Sequence, residues 1–181
     1  MHILTGYDHL LFMAALVLAA ATLWDLVKVV TAFTLAHTIT LALSVFDIVR
    51  LPSHIVEPVI AGSIVFVGLQ NVFWPKHTRG WGRLFIAFAF GLFHGLGFAG
   101  GLLEAMEGLP AVAVVLAITA FSLGVEIGHQ AVVLPVFGLV KLARAAATQP
   151  SARDRIVLGI QRWGSGAIAA AGMFYLVLAM R

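Results

Sequence analysis

The chain is predicted to be all-α, a polytopic integral membrane bundle of about six transmembrane helices that forms one domain over residues 1–181. Three observations carry that prediction. Of the 181 residues 61% are hydrophobic and 10% charged, with a mean hydropathy of +1.04. A soluble domain carries roughly 25% charged residues. The apolar residues gather into six stretches close to the ~20 residues that cross a bilayer's hydrocarbon core. Trp24, Trp74, Trp81 and Trp163 fall near the ends of those stretches, where amphipathic indoles settle at the membrane interface.

The first stretch covers residues 3–24 and opens with Asp8-His9; Asp25 and Lys28 divide it from the second, 27–47. Arg50-Leu51-Pro52-Ser53 leads into the third, 54–73, and the segment from Trp74 to Gly80 separates that from the fourth, 84–103. Glu104, Glu107, Gly108 and Pro110 precede the fifth, 111–139, and a polar loop from Arg144 to Arg155 precedes the sixth, 156–180. Small residues four apart, Gly91/Gly95 and Gly97/Gly101, and the set Gly164, Ala167 and Ala171 are expected to let helix backbones approach closely.

Loops one, three and five hold Lys28, Lys76, Arg79, Arg83, Lys141, Arg144, Arg153 and Arg155, against Arg50 and Arg181 on the opposite side. Basic loops stay cytoplasmic, so both termini are expected outside, in a membrane of the bacterial inner type. The net charge of +3 and pI near 9.8 follow from those loops, and no nucleic-acid partner is expected. Cysteine is absent, which removes thiolate metal sites, disulfides and thiol catalysis. The N-terminus lacks the charged region and cleavage site of a signal peptide.

Against that apolar background, Asp8, His9, His37, Glu57, His94, Glu126 and His129 stand inside the membrane-spanning stretches. An ionised side chain at mid-helix costs roughly 2.5–3.5 kcal/mol on insertion scales. These groups are therefore expected to meet each other, a cation or a water-filled cavity, toward the outer half of the bilayer. Glu126 and His129, three apart, share a helix face, and Glu-x-x-His is a spacing that presents both groups to a metal inside helical bundles. The alternative is a hydrogen-bonded pair that fixes packing. His94 lies between glycines in Phe93-His94-Gly95-Leu96-Gly97, open to a ligand or to a neighbouring helix. Thr34, Thr38 and Thr40 flank His37 and are expected to orient its ring. Of Asp8 and His9 one is expected to face inward. Glu57 before Pro58 also complements the helix dipole. Ser63, Gln70 and Asn71 are expected to bond between helices or to extend a polar path. His2, His54 and His77 read as loop or interface residues, and the methionines form no stripe of the kind that carries copper(I). Imidazole with carboxylate suits Ni, Co, Zn or Fe(II), so a divalent transition-metal ion (Ni, Co or Zn) is the expected ligand.

Several strings resemble the HupE/UreJ family of membrane proteins. They are Gly6-Tyr7-Asp8-His9-Leu10-Leu11-Phe12, Phe33-Thr34-Leu35-Ala36-His37-Thr38-Ile39-Thr40-Leu41, Val56-Glu57 with Ile60-Ala61 and Ser63-Ile64, Phe90-Gly91-Leu92-Phe93-His94-Gly95-Leu96-Gly97-Phe98-Ala99, and Leu123-Gly124-Val125-Glu126. The resemblance covers the first five stretches in order. It implies a nickel or cobalt permease, or an accessory protein of hydrogenase or urease, with Asp8, His9, His37, Glu57, His94 and Glu126 at the family's polar positions. His129 stands where the family usually has glutamine in Gly-Val-Glu-x-Gly-Gln, which makes it either an added ligand or no ligand.

Three functions compete. A permease for a nickel- or cobalt-type ion comes first. A zinc-type intramembrane hydrolase would use a metal-activated water with Glu126, Glu57 or Asp8 as general base. A metal sensor or accessory subunit is the third. Six helices without an inverted repeat are few for alternating access, and a homo-oligomer would offset that. The expected partners are the lipid bilayer, the metal ion and a second copy of the chain.

Overall fold

The computed structural model describes residues 7–74, 80–106, 108–145 and 150–181, with all side chains except those of Tyr7, Leu103, Glu104, Arg144 and residues 150–154. The expectations for His2, Gly6, Lys76, His77, Arg79 and Glu107, and for the side chains of Glu104, Arg144 and Arg153, lie outside the described residues. Six helices follow in the predicted order: α1 (Tyr7–Ala19), α2 (Leu23–Val45), α3 (Ser53–Phe73), α4 (Trp81–Met106), α5 (Ala111–Ala145) and α6 (Pro150–Ala179). The described residues contain no strand. Segments of α2, α3, α4 and α5 are long and apolar enough to cross a membrane. α1 is apolar but has 13 described helical residues, about 20 Å at 1.5 Å per residue.

The boundaries shift where a helix signal outweighs hydropathy. Thr22 caps α2, its hydroxyl accepting from the Asp25 N–H at 3.1 Å, so Trp24 belongs to α2 and α1 stops at Ala19. Gly108, at φ 79°, follows α4 in the left-handed conformation that suits glycine. α5 continues through Lys141 to Ala145, because lysine, leucine and alanine sustain a helix beyond the hydrocarbon.

Glycines set the closest approaches. A Cβ on Gly91 would sit 2.5 Å from the Phe33 carbonyl oxygen and 2.9 Å from the Ala36 Cβ, and one on Gly95 would collide with Thr40 and the His37 carbonyl. Numbering rises together along α2 and α4, so they run parallel. On α3, Gly68 lies against Ser165 and Ala169, while Gly172 of α6 lies against Ile64 and Val65, so that pair is antiparallel. α1 packs on α3 and α6, burying Phe12, Leu16, Val30, Phe33, Ile64 and Val67 in a common core. The face expected from Gly164, Ala167 and Ala171 is not the one α6 packs with. Gly164 does meet Leu18, but Ala167 is exposed and the buried stripe is Ser165, Ile168 and Ala169. At 100° per residue these lie one position round from the predicted set.

Arg83, expected among the loop charges, lies within α4 and is 5% exposed. Its guanidinium donates to the carbonyls of Ala15 (3.1 Å) and Leu16 (2.9 Å) and to Asn71 Oδ1 (3.3 Å). Asn71 donates in turn to the Ala15 carbonyl (2.7 Å) and to Ser165 Oγ (3.1 Å). A guanidinium offers five donors in a fixed fork, which suits it to two neighbouring carbonyls in the last turns of α1. Asn71 thus bonds between helices, whereas Ser63 Oγ donates to the carbonyl of Ile60 in its own helix at 2.6 Å. This knot joins α1, α3, α4 and α6.

Candidate metal centre

At the opposite end of the bundle from that knot, four helices each contribute one histidine to a common spot. His9 of α1 is the hub. Its ring centroid lies 4.6 Å from that of His94 (α4), 5.4 Å from His37 (α2) and 6.2 Å from His129 (α5). All four are buried, His94 completely. The close α2/α4 packing at Gly91 and Gly95 holds His37 and His94 together. Phe98 closes one side at 4.8 Å from His9, and Phe33, 5.0 Å from His94 and 5.8 Å from His129, closes the floor with Phe12.

The nitrogen chemistry is specific. His94 Nδ1 lies 2.9 Å from the Phe90 carbonyl. A carbonyl only accepts, so Nδ1 carries the proton and Nε2 keeps its lone pair. His94 Nε2, both nitrogens of His9 and both of His37 are buried without a hydrogen-bond partner. Burying such groups unsatisfied costs about 1–3 kcal/mol each. A neutral ring keeps one lone-pair nitrogen, so His9, His37 and His94 offer three, which suit an imidazole-seeking cation, a divalent first-row ion before calcium or magnesium. Among the described residues no three histidine or acidic side chains form a ready metal cluster, so the nitrogens line the space without closing a shell. A cavity of about 280 Å³ adjoins them, walled by His9, His37 and His129 with Leu10, Phe98 and Phe121.

The carboxylates divide. Asp8 Oδ1 accepts from the His9 backbone N–H at 2.9 Å and lies 3.5 Å from His9 Nδ1, half-buried at the start of α1. His9 is therefore the inward member of that pair. Glu57 is half-buried in the first turns of α3, and among the described residues it has no hydrogen bond or ion pair. Glu126 turns to α2 and along its own helix: Oε1 accepts from Thr31 Oγ1 (2.9 Å) and Gln130 Nε2 (3.0 Å). The structure thus gathers His9, His37, His94 and His129 with Asp8 beside them, and among the described residues Glu57 makes no hydrogen bond or ion pair with any of them. His129 and Glu126, though three apart, engage different hydroxyls of α2. Thr34 Oγ1 lies 3.3 Å from His129 Nδ1, so it orients His129 and not its own neighbour His37. Thr38 and Thr40 bond back to carbonyls of α2. Thr31, Ser122 and Gln130 were not singled out from the sequence. The available signal was spacing, since Ser122, Glu126 and Gln130 recur every four residues on one face of α5.

The family model described as HupE / UreJ protein matches residues 1–179. Neither a curated protein nor a solved structure matches the chain.

Proposed function

Since the chain belongs to the HupE / UreJ family, we propose that it is a membrane permease for a divalent transition-metal ion of the nickel or cobalt type, the metals with which that family is associated. The observation that carries this reading is the meeting of His9, His37, His94 and His129, from four helices, with five buried ring nitrogens that make no hydrogen bond. With basic loops held in the cytoplasm, the histidine end of the bundle faces outward. The cargo ion enters past Asp8, whose carboxyl draws cations to the mouth. Ring nitrogens then replace its water ligands one at a time.

Separate nitrogens spread over a lining hold an ion strongly enough to strip it and weakly enough to pass it on. Phe12 and Phe33, buried beneath the rings, close the direct route inward, so passage requires their displacement. Hydrolysis is the weaker reading because Glu126, the first candidate base, faces Thr31 and Gln130 and not the imidazoles.

The test is uptake of Ni²⁺ or Co²⁺ into proteoliposomes containing an entrapped chelating dye. Wild type is expected to load the vesicles above protein-free controls. His94→Ala and His37→Ala are expected to lower the rate at least tenfold. Equal rates for wild type, both variants and empty vesicles would remove the permease reading.

A further inference from the structure

The cluster accounts for the orphaned ring nitrogens of the core and leaves a set of orphaned oxygens. Glu126 Oε2, Gln130 Oε1 and Ser122 Oγ are all buried and without hydrogen-bond partners. They recur at i, i+4 and i+8 on α5, so they share one helix face. We propose that this face, with Thr31 of α2, forms an oxygen-lined site for a monovalent hard cation of the sodium class, distinct from the imidazole centre.

Four features argue for it. Glu126 Oε1 is saturated by Thr31 and Gln130, which holds Oε2 in place with its lone pairs free. Because Gln130 spends its amide nitrogen on Glu126, its oxygen is the atom left over. Flipping the amide would set oxygen against oxygen. Thr34, Thr38, Thr40, Ser63 and Thr119 each donate to a carbonyl of their own helix, whereas the buried Ser122 Oγ has no hydrogen-bond partner. The remaining donors are thus a carboxylate, an amide and hydroxyls, oxygens in need of positive charge.

Among the described residues, no lysine or arginine pairs with Glu126. A bare carboxylate is costly in a membrane interior, and a bound cation would offset it. The donor set selects the ion. One formal charge with neutral oxygens balances a monovalent cation. Calcium takes six to eight oxygens and magnesium sheds its waters reluctantly, while nickel- and cobalt-type ions favour the imidazoles next door. His129 separates the two sites by bonding Thr34, one turn along α2 from Thr31. In the permease reading, on which this clause alone rests, the oxygen site holds the coupling ion.

The experiment uses the whole chain, purified free of transition metal, with unfolding followed in NaCl, KCl and choline chloride at equal ionic strength. Sodium is expected to raise the unfolding temperature saturably by several degrees over choline. Glu126→Gln is expected to abolish that difference, and Ser122→Ala and Thr31→Val to shift its midpoint to higher sodium. His94→Ala is expected to retain it. Identical behaviour in sodium and choline overturns the proposal. A sodium effect that survives both Glu126→Gln and Ser122→Ala overturns it as well, and Ser122→Ala serves alone if Glu126→Gln does not fold. Loss of the effect in a folded His94→Ala would merge the two sites and sink the distinction. A sodium effect without metal uptake removes the permease and leaves this site, whereas uptake without a sodium effect does the reverse.

Discussion

Asn71 occupies a position where three polar demands meet: the Ala15 carbonyl, Ser165 Oγ and the guanidinium of Arg83. Leucine there fills similar space and satisfies none of them. Losing three buried hydrogen bonds costs about 0.5–1.5 kcal/mol each. Asn71→Leu is therefore expected to destabilise by about 2–4 kcal/mol, read as a marked fall in unfolding temperature in detergent. The Lys28–Asp25 pair, at 2.9 Å but with both side chains more than 40% exposed, supplies the contrast. Lys28→Met is expected to leave the unfolding temperature nearly unchanged, because exposed pairs contribute roughly 0–1 kcal/mol. At this scale the sequence was legible for residue type and not for partner. Seven ionisable groups out of place in apolar stretches announced a site. Which hydroxyl meets which ring depends on helix rotation, and so Thr34 serves His129 across the α2/α5 seam instead of His37 nearby.

Helix packing makes a sharper distinction than composition. Gly91, Gly95, Gly97 and Gly101 all recur at small-xxx-small spacing along α4, and the sequence treats both pairs alike. The structure does not: Gly91 and Gly95 press on α2, Gly97 meets Ile60 of α3, and nothing among the described residues lies opposite Gly101. Spacing gives the face of a helix; only the arrangement of neighbours says whether anything lies opposite. Replacing a free helical glycine by alanine gains about 0.4–1 kcal/mol from the unfolded chain's lost freedom. Gly101→Ala is accordingly expected to hold or raise the unfolding temperature. Gly91→Ala must push the Phe33 backbone away from α4, and with it His37 away from His94. It is expected to lower the unfolding temperature and also to weaken Co²⁺ binding, followed by titration of the metal's visible absorption. If Gly91→Ala binds Co²⁺ as wild type does, close α2/α4 packing does not position the rings.

The whole molecule is polarised, with imidazoles toward the end where α1 begins and the Arg83–Asn71–Ser165 knot toward the end where α1 stops. The order of six helices was readable from hydropathy and punctuation, because each span must satisfy its backbone internally and ends where polar residues gather. Their pairing was not, since α2/α4 and α3/α6 are joined by small-residue contacts that leave little trace in hydropathy. Orientation rests on loop charge. Arg83 drops out of that count, since its guanidinium is spent on buried carbonyls, yet Lys28, Lys141 and Arg155 still lie at the knot end of their helices. The turn after α2 holds only Arg50, paired to Asp47 at 2.6 Å. A chain without cysteine permits a direct test with single introduced thiols. Ile48→Cys, at a position 68% exposed in that turn, is expected to react with a membrane-impermeant maleimide on intact cells. Lys141→Cys, exposed near the end of α5, is expected to react only after the membrane is opened. The reverse pattern would turn the histidine mouth toward the cytoplasm, and the same cluster would then load metal for export.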